Sequence, residues 1–161
     1  MGSGKSTVAK ALQDTFKINA LDLDDYIIEK EGISISEIFA AKGEIYFRKQ
    51  ENKYLIELLE SENSFILALG GGTPCYANNL DFIKNEAKSF YLKAKIGTLF
   101  HRLRQENSSR PLISELNDEK LKEFIAKHLF ERAPFYEQAN HIISIDEKSV
   151  EAIASEISAL V

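Results

Sequence analysis

At 161 residues, with 44% hydrophobic and 28% charged residues, the chain fits one globular domain with a single substantial core. A formal net charge of −5 argues against broad nucleic-acid binding, which needs a basic face, and the one cysteine, Cys75, excludes an internal disulfide framework and suits a reducing cytoplasm. With no apolar run of transmembrane length and no leader with a cleavage site, a cytoplasmic protein off the membrane is expected.

The chain opens on Gly2-Ser3-Gly4-Lys5-Ser6-Thr7, the second half of G-x-x-x-x-G-K-[ST]. Glycines let consecutive backbone N–H groups wrap a phosphate without a Cβ in the way. Lys5 suits the β- and γ-phosphates of a nucleotide, the Ser6 hydroxyl suits Mg²⁺, and the following helix adds its N-terminal dipole. The first glycine of the motif and the strand that feeds it would lie before residue 1. In an α/β sheet that strand is central, and its loss would leave an unpaired edge on each side. The chain is therefore expected to lack its first central strand, Met1 to be an internal methionine, and a form extended upstream to be the more stable and active one.

Ser6 to about Phe16 reads as a helix with Val8, Leu12 and Phe16 on one stripe. Ile18–Leu21 is a short strand running into Asp22 and Asp24. Ser34-Ile35-Ser36-Glu37 has capping-box spacing, with Gly43 as a stop, and Glu44–Glu60 is a longer helix. Phe65–Leu69 is a continuous apolar run halting at Gly70-Gly71-Gly72, as a buried parallel strand would. A helix over Leu80–Glu86, a strand over Phe90–Leu92 and a helix over Ile96–Gln105 follow. Residues 106–117 form the long polar loop. Glu119–Tyr136 is helical, His141–Ile145 is a strand, and Val150, Ile153, Ile157 and Leu160 stripe a terminal helix. This alternation predicts an α/β fold, a parallel sheet between two helical layers, with strand order open.

Ligands bind open α/β sheets at the carboxyl ends of strands. The phosphate loop, the Asp22/Asp24 pair and the glycine triplet fall at three such ends in order. Singly, an Asp pair is a turn or helix cap and a glycine triplet is a turn. Arg48 and Arg132, with Glu51 and Glu131 nearby, read equally as surface ion pairs. Cys75 reads as a small packing residue, since no neighbouring base activates it. His101, His128 and His141 lack metal-ligand spacing, and Phe39 and Phe47 pack or wall a pocket.

Taken together, Gly2–Thr7, Leu21-Asp22-Leu23-Asp24, Ile38-Phe39 with Gly43-Glu44, Phe47-Arg48, Gly70–Gly72, Arg110-Pro111-Leu112 and Glu131-Arg132-Ala133-Pro134 with Tyr136 resemble the shikimate kinase family from residue 1 to about residue 145. The half-loop and absent first strand depart from it, as does Ile28, where members often carry Glu. The resemblance implies a single P-loop kinase domain over residues 1–161, with a substrate subdomain at about 25–60 and a mobile lid at about 106–118. It implies ATP-dependent phosphorylation of the shikimate 3-hydroxyl, on the route to chorismate and the aromatic amino acids, by a monomer that binds neither nucleic acid nor membrane.

Carried over by position, the resemblance gives Gly2, Ser3, Gly4, Lys5, Ser6, Thr7, Arg102 and Arg110 to ATP. It gives Ser6, and Asp22 through water, to Mg²⁺. It gives Asp24, Arg48, Gly70, Gly71, Gly72 and Arg132 to shikimate, with Asp24, Lys5 and Arg110 catalytic. Arginine forks suit a carboxylate bidentately, and their clustering gathers positive charge locally in an acidic chain. Alternative readings are another small-molecule P-loop kinase, for gluconate or a nucleoside monophosphate, and an inactive truncated nucleotide-binding protein.

Overall fold

In a computed structural model, residues 2–61, 63–105 and 116–161 are described. Helix α1 (Lys5–Phe16) buries Val8, Ala9 and Leu12 and ends where Lys17 turns left-handed at φ 58°, its N–H donating to the Gln13 carbonyl. Strand β1 (Asn19–Asp22) pairs in parallel with β2 (Phe65–Ala68), in a register that sets Asp22 opposite Ala68. The Asp22–Asp24 segment and the glycine triplet therefore leave the sheet at one end. Strands β3 (Phe90–Lys93) and β4 (His141–Ser144) form a second parallel pair.

These are two separate two-stranded sheets, joined by no strand among the described residues. A cavity of about 630 Å³ lies along both, lined by Ile66 and Ala68 of β2, Tyr91 and Leu92 of β3, Val8 and Leu129. Strands β2 and β3 thus both border this apolar seam. At its polar mouth stand Ser3, Lys5, Gly70 and Gly71.

Helix α2 (Leu23–Glu31) is absent from the sequence reading. Asp22 caps it by accepting from the Asp24 N–H at 3.0 Å, and Gly32, at φ 70°, closes it. Leu23 and Ile27, one turn apart and fully buried, supply its apolar face. The signals were present as an N-cap aspartate and a C-terminal glycine, but nine residues give little periodicity to see.

Helix α3 (Ile35–Leu59) begins with the expected capping box between Ser34 and Glu37. Gly43 is the stop the sequence predicts: at φ 80°, ψ 171° it leaves helical geometry, and a second helical stretch resumes directly beyond it. Glu31 braces the bend. Its carboxylate accepts Lys42 Nζ at 3.2 Å from one side and the Tyr46 and Tyr54 hydroxyls at 2.8 and 2.9 Å from the other. Three helices complete the frame before the C-terminus: α4 (Asn79–Glu86), α5 (Ile96–Gln105) and α6 (Asp118–Tyr136). Helix α7 (Val150–Ser158) then lays Ile153 and Ile157 on α1 beside Ile143 of β4.

Burial alone would raise the Glu31 pKa, but the bonds from Tyr46, Tyr54 and Lys42 outweigh it and hold it below the usual glutamate value. A depressed carboxylate pKa contributes stability above its unfolded pKa that is lost as pH falls. Glu31→Ala should cost about 1–3 kcal/mol in urea unfolding near neutral pH, by orphaning the tyrosine hydroxyls. The deficit should shrink as the pH drops through the glutamate range.

Candidate active site

The phosphate loop is built from backbone. Gly4 is the N-cap of α1 in the left-handed region, φ 81°, ψ 27°, and no side chain caps the helix. The first-turn N–H groups and the positive end of the helix dipole are thereby presented to an anion. Gly2 is buried at φ 66°, and a Cβ there would stand 2.9 Å from Leu103 Cγ. From α5, Arg102 Nη1 donates to the Ser3 carbonyl at 3.1 Å and stands 3.5 Å from where a Gly4 Cβ would be. The structure thus brings Arg102 against the loop itself.

Beside the loop, Ser6 Oγ donates to Asp22 Oδ2 at 2.7 Å, while Asp22 Oδ1 holds the Asp24 N–H. One aspartate therefore joins α1 to the start of α2. A hydroxyl and a carboxylate side by side are hard oxygen donors of the kind Mg²⁺ takes when phosphates and water complete its shell. Among the described residues no group of three or more His, Cys, Asp and Glu could hold a metal ion, and a Mg²⁺ of this type needs none.

Asp24 lies two residues on, part-buried. Burial raises its pKa above the usual aspartate value, the Asp22, Glu51 and Asp25 carboxylates raise it further, and Lys5 opposes them. The crowding centres on Gly70, where a Cβ would lie 3.5 Å from Asp24 Oδ1, 3.3 Å from Glu51 Oε1 and 3.0 Å from Thr73 Oγ1.

Arg48 is not a surface ion pair. Its Nη1 meets Glu51 Oε2 at 2.7 Å, and the Glu51 side chain is 1% exposed. The other Glu51 oxygen accepts from Thr73 Oγ1 at 2.7 Å, in the 3-10 turn Thr73–Cys75 that follows the glycines. Asn79 Nδ2 holds the Thr73 carbonyl at 2.7 Å and Asn52 holds Asn79. A Cβ on Gly72 would come 2.7 Å from Arg48 Nη2. Arg132, on α6, is close enough to the same turn that its charge, with that of Arg48, opposes the upward shift that burial gives the Cys75 thiol. Phe47 is buried beneath Arg48, with the guanidinium 5.0 Å from its ring, and packs on Phe39.

Lys5, Ser6, Asp22, Asp24, Arg48, the glycine triplet, Arg102 and Arg132 are therefore gathered at one end of the strands. Arg110 and residues 106–115 of the expected lid lie outside the described residues. Glu51, Thr73 and Asn79 had no assigned part in the sequence reading. Glu51 was visible only as an i,i+3 partner of Arg48, a spacing that looks the same on a surface helix. Among the described residues every buried side-chain nitrogen and oxygen has a partner.

Comparison with known proteins points one way. The family described as Shikimate kinase matches residues 1–161. A shikimate kinase of Flavobacterium johnsoniae is 48% identical over 158 residues, covering 98% of this chain and 92% of the relative. The 1.7 Å crystal structure of shikimate kinase from Bacteroides thetaiotaomicron superposes with a TM-score of 0.92 at 35% identity, over 99% of this chain and 93% of that one. Shikimate kinase from Acinetobacter baumannii in complex with shikimate gives a TM-score of 0.89 at 30% identity, covering 99% and 87%.

The strain around Asp24 has a direct test. Asp24→Asn removes a charge disfavoured by burial and by the neighbouring carboxylates, so the unliganded variant should melt higher than the parent near neutral pH. The gain should be about 2–4 °C for each kcal/mol relieved. It should fade in acid, where the parent's Asp24 takes up its proton. Calorimetry across pH checks both.

Proposed function

The chain belongs to the shikimate kinase family, and we propose that it transfers the γ-phosphoryl group of ATP to the 3-hydroxyl of shikimate at the site just described. The observation that carries this is the join at Asp22. One of its oxygens holds Ser6 of the phosphate loop, and the other caps the helix that carries Asp24 into the arginine-flanked pocket. A phosphate site and a site for a hydroxylated acid thus share one structural element.

In this reading Gly2–Thr7 cradle the nucleotide phosphates, Lys5 neutralises the β- and γ-oxygens, and Arg102 serves the nucleotide beside the loop. Ser6 and, through water, Asp22 would hold Mg²⁺, which when bound offsets charge on those phosphates. Arg48 and Arg132 take the shikimate carboxylate against the Gly70–Gly72 turn. Asp24 orients the attacking hydroxyl and receives its proton, a role that its raised pKa favours. Arg110, outside the described residues, completes the phosphate contacts. Phosphoryl transfer asks mainly for positioning and positive charge, which this set supplies without a special nucleophile.

The net charge of −5 and the lone cysteine support a cytoplasmic monomer acting on small molecules without nucleic acid. No helix among the described residues is long and apolar enough to cross a membrane. The substrate subdomain, expected at about residues 25–60, corresponds in this reading to α2 and α3.

The reading requires ADP formation that depends on shikimate; preference for gluconate or a nucleoside monophosphate would overturn it. Arg132→Ala should weaken shikimate binding by about 2–4 kcal/mol and spare ATP. Gly72→Ala is a finer probe. Its backbone, at φ −91°, ψ −18°, accepts alanine. The new methyl would press on Arg48, which Glu51 holds in place. The KM for shikimate should rise roughly ten- to hundredfold with the fold intact, as steady-state kinetics beside a melting curve would record.

A further inference from the structure

Three consecutive glycines are an odd material for a binding wall, because each residue is free to rotate and every peptide plane in the run can flip. The hydrogen bonds say what holds them. The Gly70 carbonyl accepts the Thr73 N–H at 3.2 Å and the Gly72 carbonyl accepts the Cys75 N–H at 3.0 Å, so the local 3-10 turn secures the outer two. The middle carbonyl has from the turn only the long Cys75 Sγ contact at 3.9 Å and is held from elsewhere. Tyr136 Oη, sixty-five residues away on α6, donates to Gly71 O at 2.5 Å.

A planar trans peptide carries its C=O and the next N–H in opposite directions. Pinning the Gly71 carbonyl on the α6 side therefore aims the Gly72 N–H away from α6. Gly72 is the residue on which Arg48 closes. Tyr136 also stands one helical turn from Arg132, on the same face of α6. Its ring is buttressed by Tyr91 of β3, centroids 5.1 Å apart. The phenol is kept as a donor, since burial pushes it above its usual pKa against a smaller opposing pull from Arg132.

We propose that Tyr136 is a positioning residue for the acceptor: its hydroxyl locks the Gly71–Gly72 peptide and fixes the glycine turn to the helix that carries Arg132. The two walls of the acceptor pocket, the α3 side with Arg48 and the α6 side with Arg132, are thereby set at one spacing. The assignment rests on the shikimate kinase reading above.

Tyr136→Phe removes the hydroxyl and keeps the ring against Tyr91. The KM for shikimate should rise roughly three- to tenfold, the change expected from one neutral hydrogen bond. The KM for ATP and the melting temperature should stay near the parent's, and amide exchange in the 70–75 segment should quicken. Unchanged shikimate KM would overturn the proposal, as would a parallel loss in both KM values together with a lower melting temperature, which is the mark of a purely structural tyrosine. Failure of the reading beneath it looks different: the unsubstituted chain would form no ADP in response to shikimate.

Discussion

Glu51 can sit at 1% exposure because both carboxylate oxygens are occupied, one by Arg48 and the other by Thr73. A buried ion pair of this kind adds little net stability over an apolar pair, yet losing one partner costs about 3–5 kcal/mol. Its main effect is to specify geometry. Through Glu51 the second half of α3, the Arg48 guanidinium and the turn after the glycines become one rigid unit. The same negative charge raises the proton affinity of Asp24 across Gly70. One buried carboxylate thus fixes the Arg48 guanidinium and adds, after burial and Asp22, to what raises the proton affinity of Asp24.

The nucleotide side is assembled by different means. There the loop presents backbone N–H groups, a helix end and one lysine, and side chains mainly keep it in shape. Leu103 fills the space a Gly2 side chain would take, and Arg102 ties the loop to α5. Asp22 joins the two styles of construction, since a single residue faces the loop with one oxygen and caps α2 with the other. The β1–β2 register delivers this aspartate and the glycine turn at the same level.

Local grammar was legible in the sequence. The Ser34–Glu37 capping box, the apolar stripe of α1 and the start of α5 at Ile96 all follow from short-range rules, and the structure repeats them. Where reading failed, the missing information was tertiary. Helix α2 was too short to show a period. Gly43 signalled the break that the structure shows, but the brace from Glu31 to Lys42, Tyr46 and Tyr54 across it had no local sign. Tyr136 sat within the family pattern with no task, because its partner is a carbonyl oxygen that any residue would carry.

Cys75 is the only cysteine in the chain, and it lies in the turn after the glycines, within the electrostatic reach of Arg132 and Arg48, with its Sγ 3.9 Å from the Gly71 carbonyl. Burial lifts the thiol pKa, so it reacts slowly, but it has no competitor elsewhere in the chain. Cyanylation would place a single nitrile at this position. Its infrared stretching frequency would then read the local electric field to which Arg132 and Arg48 contribute, making the pocket its own spectrometer without any foreign residue.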